Sequence, residues 1–351
     1  MRRALSLILL ALGVFAAAGA ILLPEYVYPK LAKVPLDQDS TSVLEGTATK
    51  VLAVTPNGAQ IRENANLTAT GKVTANFHAP EMHEGTDYAV WLLGVKVVDN
   101  ADNTVVSASQ RQVCFNRQTS EGYVPPKGEQ NPACRDEDSF VTDVSDDPPE
   151  KAGDPPKMVR KNMSQPGIQF KFPFGVEKRD YKVYDDSTQQ AVNAKFSGTS
   201  TINGVDVYKF VEIVPDTLVG TKKVPGSLVG RTDPSVDAGL YYNGQVTMWV
   251  EPVTGIEVKV EQQQHQELRP DNAPPTVVFH GTLTYNAKTI AQMVSQVETN
   301  KGKLQFLTTI GPITFGIAGG LMILVGAFLL RRRRAEPVDP PRPRMHAAAG
   351  R

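Results

Sequence analysis

The densest set of ligating side chains lies in Phe77-His78-Ala79-Pro80-Glu81-Met82-His83-Glu84-Gly85-Thr86-Asp87. Two imidazoles and three carboxylates could together hold a divalent ion. Their spacing matches no standard site, and Pro80 argues against a helix that would align the ligands. The expectation is a solvated connection between strands, with no metal site. Adjacent acids at Asp146-Asp147 and Asp185-Asp186 could serve acid–base catalysis if their separation and burial were right. Both pairs sit beside turn residues and read as surface turns. Trp91 and Trp249 fall in strand-like stretches and are expected in a core rather than as ligand platforms. No phosphate-cradling glycine loop, nucleophile elbow or zinc-protease helix occurs. The sequence therefore assigns no catalytic residue, no cofactor-binding residue and no cofactor.

Cys114 and Cys134 are the only cysteines. In an exported domain such a pair is expected to bridge. The loop between them is polar, holds three prolines and offers little core of its own. Closing a loop of this size stabilises by roughly 3 kcal/mol through the unfolded state. A redox or metal role would need further thiols or a histidine close by in sequence, and there are none.

The elements that must carry these groups are of two kinds. Ala4 to Leu23 and Ile310 to Leu330 are uncharged apolar runs. At about 1.5 Å per helical residue each covers roughly 30 Å, the thickness of a bilayer's hydrocarbon. Arg2 and Arg3 precede the first run, and Arg331, Arg332, Arg333 and Arg334 follow the second. Basic flanks stay on the cytoplasmic side, so both ends are expected there and residues 24–309 outside. The expected organisation is a cytoplasmic N-terminus (1–3), a first span (4–23), an outer region (24–309), a second span (310–330) and a basic tail (331–351). The first run also fits a cleavable signal ending at Ala18-Gly19-Ala20, which would leave a mature chain starting at Ile21. Gly316 and Gly320 in the second span, and Ala16 and Ala20 in the first, have the spacing that lets helices approach closely.

The terminal tails hold nine arginines against two acids, and the rest of the chain 28 basic against 35 acidic residues. The basic ends suit an anionic leaflet, so membrane lipid is an expected partner. The acidic exterior argues against nucleic acid. Oligomeric state stays open.

The outer region shows mainly period-two patterning, the mark of half-buried strands. Candidates are 43–55, 67–77, 88–98, 104–115, 168–174, 194–202, 205–214, 245–250, 256–263 and 276–285. Asn203-Gly204 between two of them is a hairpin signal, because both turn positions can take positive φ. Residues 143–157 are polar, acidic and proline-rich, an excursion that divides lobes at 24–142 and 158–309. Apolar residues recur at helical spacing from Thr289 to Leu304. The fold class is thus a mainly β outer domain, of antiparallel sheets with few helices, flanked by two transmembrane helices.

Three stretches are distinctive: Ile168-Gln169-Phe170-Lys171-Phe172-Pro173-Phe174 with Glu177-Lys178-Arg179-Asp180-Tyr181, Gly204-Val205-Asp206-Val207-Tyr208-Lys209-Phe210, and Met248-Trp249-Val250-Glu251-Pro252-Val253-Thr254-Gly255. With the two terminal spans they resemble the actinobacterial PorA-type porin family, over nearly the whole chain. The resemblance implies an actinobacterial envelope protein and carries over no catalytic or binding residues. The expected function is a non-enzymatic two-span envelope protein whose β-rich domain binds or handles lipid or envelope ligands. The alternatives are a pore-forming oligomer, and a hydrolase or transferase of the envelope.

Overall fold

The structure, a computed structural model, describes residues 2–55, 58–76, 78–79, 86–126, 134–144 and 158–331. Helix α1 (Arg2–Leu22) passes through a π-helical turn, Leu23–Val27, into α2 (Tyr28–Leu31). The strands are β1 (Asp39–Thr55), β2 (Gly58–Ala75), β3 (Tyr88–Asp99), β4 (Thr104–Asn116), β5 (Phe140–Val144), β6 (Met158–Asn162), β7 (Tyr181–Asp185), β8 (Gln190–Ile202), β9 (Val205–Val224), β10 (Val236–Val250), β11 (Glu257–Pro270) and β12 (Thr276–Tyr285). Helix α3 (Ala287–Gln305), a second π-helical turn and α4 (Gly311–Arg331) complete the described chain. The molecule divides into a helical unit, Met1–Leu31 with Lys303–Arg351, and a sheet unit, Ala32–Gly302.

In the helical unit, α1 and α4 pack along a seam of small residues. A Cβ at Gly319 would come within 2.9 Å of the Gly13 carbonyl oxygen and 3.2 Å of Ala16 Cβ. A Cβ at Gly326 would meet Leu10 and the Ser6 carbonyl. Backbones can approach this closely only where side chains are absent. Away from the seam, Leu5, Ile8, Phe15, Ile317, Leu321, Leu324 and Phe328 are exposed. Both helices are long and apolar enough to cross a membrane.

The sheet unit is one antiparallel sheet in the order β6-β5-β4-β3-β2-β1-β12-β11-β10-β9-β8-β7. Sequential hairpins run outward from a central pair formed by its first and last strands, β1 and β12. The β8–β9 hairpin turns at Asn203 (φ 46°) and Gly204 (φ 82°), with Ile202 opposite Val205. Register shifts in the pairings of β1, β8, β10 and β11 mark bulges, and bulges increase twist and curl.

The curl is closed at one end by two short segments. Tyr123 N donates to the Cys114 carbonyl of β4, and Gly122 N donates to Gly167 O. Ile168 N donates to Lys182 O of β7, and Tyr184 N returns to Ile168 O. Pairing therefore runs from the end of β4 through 121–123 and 167–169 to β7, which covers the β7 edge. Residues 168–174, expected as a strand, bridge to neighbours only at Ile168, which faces Glu121 and Val183, and Phe170 then turns the chain at φ 55°. The segment works as a plug: Phe170 lies against Trp91 and Phe115, and Phe172 stacks on Phe210 with ring centroids 4.8 Å apart.

Asn286 starts α3 by accepting from Thr289 N at 2.9 Å, which satisfies an otherwise unpaired first-turn donor. Ile290, Val294 and Val297 then pack on Val205, Val207 and Val258. The fully buried Glu251 accepts from Thr254 and pairs with Lys301 at 3.3 Å.

Candidate functional site

Alternation along β9 points Phe210, Glu212 and Val214 to one buried face and leaves Ile213 exposed. Glu212 is therefore an acid on an apolar stripe, 3% exposed. Its Oε1 meets no hydrogen-bond donor among the described residues. Burial pushes its carboxyl up to about 8, reinforced by Asp185, Asp186 and Glu257. Burial also raises Asp185, although Thr188 N and Oγ1 donate to its Oδ1 at 2.6 and 2.7 Å. Two buried acids, Glu212 and Asp185, repelling one another with further carboxylates near by, favour the neutral form of at least one. Tyr242 from β10 is fully buried beside them, and burial with Asp185 raises its phenol.

A buried cation flanks this group. Arg111 of β4 donates through Nη1 to Gln165 Oε1 at 3.1 Å and Gln169 Oε1 at 2.8 Å. Its Nε lies 2.5 Å from Asp186 Oδ1, and its guanidinium lies 5.1 Å from the Tyr184 ring centroid. The glutamines are oriented in turn by main-chain carbonyls: Gln165 Nε2 donates to Gln112 O, and Gln169 Nε2 to Gln165 O. Lys171, on the plug segment, donates to Phe172 O at 2.7 Å and lies 3.8 Å from the Phe174 ring centroid. Burial lowers its ammonium to about 7, opposed by Glu257. Burial raises Glu257 to about 7, opposed by Lys171. Lys171, Glu257 and Tyr285 are half-buried. Glu212, Asp185 and Glu257 are thus acids that burial drives toward the protonated form, with Arg111 and Lys171 nearby; among the described residues no cluster of three or more His, Cys, Asp and Glu has metal-binding geometry.

The residues singled out by sequence fall as follows. Cys114 and Cys134 form a disulfide, with Cα atoms 5.8 Å apart. Of the pair Asp185-Asp186, Asp186 lies in an exposed turn as expected and pairs with Arg111, whereas Asp185 is buried at the end of β7. His78 is exposed, Asp87 pairs with Lys33 at 2.6 Å, and Glu81, His83 and Glu84 lie outside the described residues, as do Asp146-Asp147 and Arg332, Arg333 and Arg334. Trp91 is buried, whereas Trp249 lies half-buried under Lys259, 4.5 Å from its ring centroid. Ala16 and Gly319 meet in the α1–α4 seam. Gly316 reaches Ala20 only at 3.9 Å, and Gly320 faces open space. Sequence reasoning missed Arg111, Lys171, Glu212 and Glu257. The available signal was Glu212 in phase with Tyr208, Phe210 and Val214.

The family model described as Porin PorA matches residues 5–328. A Porin PorA of Corynebacterium resistens is 24% identical, covering 96% of this chain and 98% of that protein. A Porin PorA of Corynebacterium amycolatum is 22% identical, covering 95% and 100%. A crystal structure of a MaoC domain protein from Chloroflexus aurantiacus covers 78% of this chain and 80% of its own, at 14% identity and a TM-score of 0.16, too low to argue from. These matches overturn the expectation of a non-pore, lipid- or ligand-handling protein, since family and relatives alike are named porins. The alternative reading, a pore-forming oligomer, agrees with them better.

Proposed function

The chain belongs to the PorA porin family, and from that premise we propose that several copies together form a non-enzymatic pore in the cell envelope. The observation that carries this reading is a family match spanning both apolar helices and the whole sheet. The outer faces of the strands hold Lys50, Lys209, Asp216, Glu261 and Arg269 rather than an apolar band, so the lipid crossing is assigned to α1 and α4. Two helices in tight contact leave no water-filled space between them, which is why more than one copy is required.

We further place the spans in the cytoplasmic membrane, with Arg2, Arg3 and Arg331 inside and the sheet outside. Single-channel recording of purified full-length protein in planar bilayers tests the pore: discrete conductance steps are expected, and their absence at every protein concentration retires it. Protease added to intact spheroplasts should digest the sheet unit; protection until lysis would reverse the orientation.

A further inference from the structure

On the opposite, outer face of the sheet, His265 of β11 stands directly across from His280 of β12. Their Nδ1 atoms are 3.1 Å apart, with rings inclined at 75°. A divalent d-block ion bound at about 2.0–2.1 Å by two imidazoles needs nitrogens roughly 3.0–3.4 Å apart. The pair meets that spacing without movement, on strands whose mutual position is fixed by hydrogen bonds on both sides.

A second observation concerns charge. Without metal the two Nδ1 atoms share one hydrogen bond, so an ion would replace its proton. Glu267 Oε1 lies 3.8 Å from His265 Nε2, on the side of the ring away from His280, and this nearby carboxylate favours a bound cation. Glu267 is itself held by Arg269 at 2.7 Å, and Arg269 by Asp216 at 2.7 and 2.8 Å. Lys50, opposite His280 on β1, is exposed and is the nearest opposing charge in register.

We propose that His265 and His280 form a two-imidazole chelate for a divalent d-block cation, with water completing the coordination shell. Imidazole nitrogen suits copper, nickel and zinc, and Cu(II) should bind tightest. The site is independent of the pore.

Titration of the full chain in detergent with CuCl2 and ZnCl2, by calorimetry and, for copper, electron paramagnetic resonance, tests it. One ion per chain is expected, with hyperfine structure from two nitrogens. His265→Ala and His280→Ala should each weaken binding at least tenfold, and His78→Ala should leave it unchanged. Equal affinity in either pair variant, or dependence on one histidine alone, overturns the proposal. Should an alanine variant lose its thermal transition, His265→Gln and His280→Gln serve in its place with the same expected outcome.

Discussion

A carboxyl that titrates near 8 makes folding depend on pH. Glu212 has an ordinary value of 4.5 and a folded value of about 8; Glu257 rises from 4.5 to about 7. Between these limits the folded protein binds more protons than the unfolded one, so stability falls as pH rises. Lys171 acts oppositely, since its folded value of about 7 lies below its ordinary 10.5 and stability recovers above neutrality. Thermal melts should therefore show stability declining from about pH 5 to 7, and Glu212→Gln should flatten that decline. Arg111→Ala should cost about 1–3 kcal/mol, because Gln165 and Gln169 would lose a buried donor; chemical denaturation measures this. Cys114→Ser should cost about 2–4 kcal/mol by releasing the loop closure. The disulfide partners were legible because only two cysteines exist. Arg111, Lys171 and Glu257 were not, because a charged side chain on a half-polar strand looks the same whether it faces water or a partner several strands away.

At the level of elements, α1 and α4 illustrate the limit of spacing rules. Glycines four apart at Gly316 and Gly320 suggested the contact face, yet the closest approach is made by Gly319 against Gly13. A span containing several glycines has several candidate faces, and only the partner helix selects one. Gly319→Leu should abolish a disulfide crosslink engineered between α1 and α4, while Gly320→Leu should preserve it. The β8–β9 hairpin is the converse case. Asn203-Gly204 specified its turn locally, through positive φ at both positions. Segment 168–174 looked like a strand because its aromatics alternate, but the alternation serves two separate aromatic clusters on either side of a left-handed Phe170.

For the whole molecule, the sequence by itself determined two apolar spans, a β-rich region between them and, through distinctive motifs, the family. Each rests on local information: run length, period-two alternation and short exact stretches. The tertiary structure alone decided that β1 pairs with β12, that two short segments close the curl from β4 to β7, and that acids distant in sequence converge inside. Those features depend on long-range register, and a shift of one residue exchanges the faces of a whole strand. Alternation shows which residues share a face; it takes the curl to make one of those faces an interior, and so to turn Glu212 from a strand residue into a buried acid.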